Sequence, residues 1–149
     1  MKSIFEKTCY QEVLERIDML TENSQANWGK MGVAQMCCHC KYPLELALGK
    51  KSLKKPNPIM KLLMKGFKAS MYNDKIWKPN LPTPAQFKVE TEKDFNEEIT
   101  QLRMLINSFH DLRERKSWDP HPAFGNFTHE QWGQMQYKHL DHHLRQFGV

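Results

Sequence analysis

The segment from Trp132 to Gln146 limits the possible folds more than any other, because as a helix it turns polar side chains toward the interior. Advancing about 100° per residue, Gln136, His139, His143 and Gln146 all fall within about 40° of Trp132. Met135 and Phe147 flank that stripe. A helix facing a core ordinarily places Leu or Ile there. Two imidazoles and two amides aimed inward must be hydrogen-bonded, ligated or open to a cavity. His139 and His143, four apart, stack one turn above the other, so both rings can grip one ion. His142 points about 100° away from His143 and is a poorer choice for the same ion. Asp141 lies roughly opposite Trp132. Two solvated or core histidines would show the same spacing, and an ion needs further donors from elsewhere.

The rest of the chain supplies helices to surround that stripe. Cys9, Val13, Ile17 and Leu20 recur at helical spacing in a first helix from roughly Thr8 to Thr21. A second runs roughly from Met31 to Leu48, with Val33, Cys37, Cys40, Leu44 and Ala47 as its apolar stripe and Gly49 as its stop. Pro43 should kink or divide it. A basic, Met-rich amphipathic stretch, PIMKLLMKGFKASMY, predicts a shorter helix. A long irregular connection follows, with prolines at 79, 82 and 84. Its Trp77, Leu81 and Phe87 are too apolar for a solvated tether, so it should cover something. The third long helix should start near Thr91, with Asp94 three residues on, and bury Phe95, Ile99, Leu102, Leu105, Ile106 and Phe109. Thr128 and Gln131 form a capping box for the last. No segment alternates with period two. The expectation is an all-α, single-domain fold over residues 1–149, a four-helix bundle with an extra short helix.

Composition bounds the setting. The chain has 149 residues, 40% hydrophobic and 26% charged, which suits one globular core rather than disorder. No apolar run is long enough to span a bilayer, and charges interrupt the N-terminal segment every few residues, so no membrane insertion and a cytoplasmic location are expected. Cys37, Cys38 and Cys40 crowd together, a poor layout for disulfides, and with Cys9 they read as free thiols. The net charge of +5 concentrates in one place: lysines stand at 50, 51, 54, 55, 61, 65 and 68, with no acidic residue between Gly49 and Tyr72. Lys61, Lys65 and Lys68 share one helical face, with Met60, Leu63, Met64 and Phe67 toward the others. Such a segment can be the solvated face of a helix covering the bundle, or can meet an anionic partner. No nucleic-acid-binding signature accompanies it, and no nucleic-acid partner is expected. The apolar middle, with Phe67, Met71, Trp77 and Phe87, motivates a homodimer.

His39 leads the candidates for a third ligand. It lies about 60° to 100° off the centre of the second helix's apolar stripe, a boundary position that a partly exposed surface histidine would also occupy. A zinc knuckle made from C-C-H-C is excluded, because consecutive helical side chains diverge by about 100°.

The stretch WGKMGVAQMCCHCKYPLELALG resembles the second-helix motif of the DinB/YfiT-like metalloenzymes. HPAFGNFTHEQWGQMQYKHLDHHLRQFGV is similar to the closing motif of an uncharacterised, domain-of-unknown-function branch of that superfamily, and HLDHHLRQF parallels its H-x-x-H-H-x-x-Q pattern. The likeness is strongest in the second and last helices and weak between Lys50 and Lys88. It implies a DinB/YfiT-like four-helix bundle with an unusual connection order. It also implies a divalent ion, such as zinc or nickel, held by His39, His139 and His143. Some members are thiol-dependent S-transferases or isomerases acting with small thiol cofactors.

Function divides into three readings. In an enzyme, three histidines leave an ion with open positions that can activate water or a small thiol for transfer to a small-molecule electrophile. No paired carboxylates and no Ser-His-Asp pattern stand near the motifs, which favours thiol activation over hydrolysis. Gln136 and Gln146 are candidates to orient a ligand or water. In a binding module, the basic segment 50–68 meets an anionic surface. In the third reading the site is vestigial or structural.

Overall fold

Apolar residues at helical spacing fold as expected into an all-α arrangement. The computed structural model describes residues 1–54 and 57–149, the side chains of Pro58, Met60, Lys61 and Leu63 excepted. Among the described residues there are five α-helices: α1 Lys7–Asp18, α2 Val33–Ala47, α3 Pro58–Phe67, α4 Phe95–His110 and α5 His129–Gln146. Short 3-10 turns lie at Lys68–Met71, Ala85–Phe87 and Asp111–Glu114. No strand forms among those residues, and the only bridge is an isolated antiparallel pair, His121 with Gly125. Of the basic segment, Lys55 and Pro56 lie outside the described residues, as do the expected placements of Met60, Lys61 and Leu63.

Capping chemistry explains where α4 and α5 begin. Thr128 accepts from the Gln131 N–H at 3.2 Å, and the Gln131 side chain accepts in return from the Thr128 N–H at 3.0 Å. That closes the expected capping box. α4 starts later than its sequence suggests. Its cap is Asp94, whose carboxylate accepts from Glu97 N–H at 2.8 Å, while the Thr91 carbonyl is taken by the Gln35 amide at 3.2 Å. Pro43 neither divides nor ends α2.

The helices pack α1 against α4, α4 against α2, α2 against α5 and α5 against α1. These pairs close a ring, so α1 and α2, consecutive in sequence, lie across the bundle from each other. Val33, Cys37, Cys40, Leu44 and Ala47 are all buried inside it. So are Val13 and Ile17 of α1, Leu102, Leu105, Ile106 and Phe109 of α4, and Leu140 and Leu144 of α5. Phe95 and Ile99 are only partly buried, at its edge. The N-terminal segment seals one side at Gly133, where Ile4 N–H donates to the Gly133 carbonyl at 3.1 Å. A Cβ there would stand 2.2 Å from Ser3 Oγ and 2.5 Å from the Phe5 ring, so only glycine fits.

On α3, Ile59, Leu62 and Phe67 face solvent, while Met64 is half-buried. In the long connection Trp77 and Phe87 turn inward, but Leu81 remains 44% exposed. Met71, Trp77 and Phe87 are partly buried within the chain, and Phe67 lies open.

The loop before α5 is organised by an imidazole that the sequence did not single out. His121 is buried, and its Nδ1 accepts from the Ala123 and Phe124 N–H groups at 3.1 and 3.2 Å. Nδ1 must therefore be unprotonated, and burial pushes the ring's pKa down to about 4. An unfolded chain, with its imidazole near a pKa of about 6.5, binds the extra proton first. This stability is therefore complete above about pH 6.5 and is lost as pH falls toward about 4. His121→Asn, whose amide oxygen can take the place of Nδ1, should retain the loop. Denaturant unfolding at pH 7 and pH 4.5 should show wild type losing about 2–3 kcal/mol more than the variant over that interval. Parallel losses would show that His121 does not carry the dependence.

Candidate metal centre

Three imidazoles from two packed helices meet inside the bundle. His39 comes from α2, and His139 and His143 come from successive turns of α5. Their candidate ligand nitrogens all lie within 4.8 Å of one another. His39 and His143 are buried and His139 is half-buried, so the boundary position expected for His39 is in fact interior. The α5 stripe is as expected: Trp132, Gln136, His143 and Gln146 are all buried. Gln136 Nε2 donates to the Pro43 carbonyl at 2.9 Å, tying α5 to α2 one turn beyond His39.

Hydrogen bonds set the tautomers of two rings. The Phe87 carbonyl can only accept, so His39 Nδ1, 2.9 Å away, carries the proton and Nε2 the lone pair. Gln146 Nε2 donates to the Trp28 carbonyl at 2.7 Å. Its Oε1 therefore faces His143 Nδ1 at 2.8 Å and accepts from it, leaving a second lone pair on His143 Nε2. His139 has no such partner. Its Nε2 lies 3.1 Å from His39 Nε2, and its buried Nδ1 has no hydrogen-bond partner. With the proton on Nδ1, two Nε2 lone pairs face each other. With the proton on Nε2, a buried lone pair is left alone at Nδ1. Either tautomer leaves a buried polar group unmatched, which costs on the order of 1–3 kcal/mol.

This arrangement fits a divalent ion. Two imidazole nitrogens bound at about 2.05 Å to one ion can stand at most about 4.1 Å apart. The 3.1 Å edge is within that limit, and the longest, bounded by 4.8 Å, needs to close by no more than about 0.7 Å. The rings are also held neutral, as ligation requires. Burial lowers the pKa of His39, and burial with its histidine neighbours takes His143 down to about 3 and His139 well below the usual range.

His142 is not part of the set. It stands between Trp28 and Trp77, with ring centroids 5.9 and 5.6 Å away. Asp141 is paired outward with Arg16 and Arg145, each at 2.8 Å. All four cysteines are free and buried, and none joins the cluster among the described residues. Burial pushes Cys37 up to about 12 and Cys40 well above the ordinary thiol range.

Sequence reasoning missed the parts supplied by loops. Trp77 packs edge-on to His139, its indole N–H donating to the Ser70 carbonyl at 2.9 Å. Buried Lys138 donates to that carbonyl and to the Asn73 carbonyl, both at 2.8 Å, and to Asn73 Oδ1 at 2.6 Å. It thereby pins the covering connection to α5 beside His139. A lysine at that position carries no sequence signal for such a role. Nor does a backbone carbonyl such as that of Phe87.

Fold and site together define a helical protein with a buried three-histidine cluster. The profile of a family described as "Protein of unknown function (DUF1569)" matches residues 5–148, and the chain belongs to this family. No curated protein and no solved structure matches it.

The tautomer at His143 depends on a close approach between the loop and α5. Gly29 has φ +83°, and a Cβ on it would stand 2.6 Å from Gln146 Nε2. In nitrogen-15 NMR of metal-free protein at neutral pH, His143 should show the proton on Nδ1. Gln146→Leu should lose that preference, and Gly29→Ala should weaken it. A His143 signal unchanged in both variants would contradict the role given to Gln146.

Proposed function

We propose that His39, His139 and His143 hold one divalent first-row metal ion, zinc, nickel or similar, and that the protein is a metal-dependent transferase of the DinB/YfiT-like kind. The observation that carries the reading is the convergence of two tautomer-set Nε2 lone pairs on a third ring whose Nδ1 is unmatched. The ring of four helices, with α3 outside it, agrees with the bundle that the resemblance implies. Imidazole does not choose strongly among these metals.

An ion bound there would supply Lewis acidity at its open positions, lowering the pKa of a thiol or water. The chain's own residues hold and shield. Phe87 and Gln146 orient two ligands, and Trp77 and Phe87 limit access of water. Among the described residues no carboxylate joins the cluster to serve as a general base. A small thiol, which needs only to lose its proton, suits such a site better than water. The protein's own thiols are buried away from it, so the thiol must come from solution. In the transfer, sulfur attacks an electrophilic carbon, the carbon–leaving-group bond breaks with its electron pair, and the thiol proton passes to solvent.

Metal analysis of protein prepared without a histidine tag should find about one ion per chain. His39→Ala, His139→Ala and His143→Ala should each abolish stoichiometric metal, whereas His142→Ala should retain most of it. Equal retention in all four variants would mean that the stripe is packing. Loaded protein should consume an aryl halide only when a small thiol is added. Thiol-independent release of halide would favour water as the nucleophile.

A further inference from the structure

We infer that α3 and its neighbouring lysines form a docking surface for an anionic phospholipid bilayer. This rests on a different part of the molecule from the metal centre. α3 is amphipathic, yet among the described residues it packs closely only on the 3-10 turn that follows it, not on the bundle. Ile59, Leu62 and Phe67 are 75%, 72% and 62% exposed. They project within an arc of about 140° around the helix. Met64, about 60° beyond Phe67, is half-buried, and Lys68, on the opposite side, is tied to the Asn126 carbonyl. Among the described side chains, the helix thus turns three large apolar ones away from the protein. A helix that merely covered the core would do the reverse. Grouped apolar exposure of this kind marks an interaction site.

Charge chooses the occupant. Seven lysines lie between residues 50 and 68, with no acidic residue from Gly49 to Tyr72. Lys54 and Lys65 are exposed, Lys65 on the helix about 60° round from Leu62. A second copy seated symmetrically on this face would bring like charges together. A nucleic acid would meet the lysines but give three exposed apolar side chains no apolar phase to enter. An anionic bilayer satisfies both features: the apolar face sinks a few ångströms below the headgroups while the lysines meet phosphates. No helix of the described residues is long and apolar enough to cross a membrane, so the contact is with the surface.

The test is co-sedimentation of the full chain with vesicles. Vesicles of phosphatidylcholine with phosphatidylglycerol should bind it at low salt, and phosphatidylcholine alone should bind at least about tenfold less, since each lysine near an anionic surface is worth roughly fivefold. Leu62→Glu with Phe67→Glu should abolish binding while leaving the helical circular dichroism and the metal content unchanged, because both residues are exposed. Lys54→Glu with Lys65→Glu should weaken it by about tenfold or more. Absent binding, equal binding to neutral vesicles, or binding undiminished by Leu62→Glu with Phe67→Glu would each overturn the inference. So would a dimer in sedimentation velocity that the same double variant converts to monomer, which would assign the face to a second copy.

Discussion

Two hydrogen bonds from imidazole Nδ1 groups govern the chemistry of the interior. His39 donates to the Phe87 carbonyl and His143 to the Gln146 amide oxygen, and each bond commits the opposite nitrogen to a lone pair. An imidazole buried without such a partner could present either nitrogen. With them, two rings are committed, and His139 is left facing one of them with its own Nδ1 unmatched. Second partners of this kind orient histidine ligands and raise their basicity in metal sites generally. Here one partner is a carbonyl of the long connection and the other is an α5 side chain that the Trp28 carbonyl holds in place, so the loops are part of the site.

The scaffold follows from that demand. Polar side chains on the inner stripe of α5 are held by partners on other elements, although Trp132 Nε1, Gln136 Oε1 and His139 Nδ1 have none. Gln136 binds the Pro43 carbonyl of α2, and Gln146 bridges His143 to the Trp28 carbonyl. The left-handed backbone at Gly29 lets that loop reach Gln146. Lys138 gathers the carbonyls of Ser70 and Asn73 and brings Trp77 against His139. The long connection that follows α3 is therefore a lid held by hydrogen bonds to α5.

Much of this was legible in the sequence. Helical spacing located the four long helices, and Thr128 with Gln131 marked the start of α5. The same spacing placed His139 and His143 together and set His142 aside. Other features depend on distant partners. His39 has a boundary position on its own helix, and it is buried because Phe87, 48 residues away in sequence, closes over it. The Gln146 contact to Trp28 spans 118 residues. α4 is capped by Asp94 rather than Thr91, whose carbonyl is instead bound by Gln35 of another helix. The exposure of Ile59, Leu62 and Phe67 on α3 was hidden for the opposite reason: the pattern is that of a core-facing helix, and only packing shows which side chains face the core.

X-ray absorption spectroscopy of untagged protein loaded with zinc or nickel tests the metal centre most directly. Three imidazole nitrogens at about 2.0–2.1 Å, completed by lighter oxygen donors in the remaining positions, are expected. A sulfur shell at about 2.3 Å would instead place the ion on the cysteines of α2. That result, or fewer than three imidazoles, would contradict a site built from His39, His139 and His143.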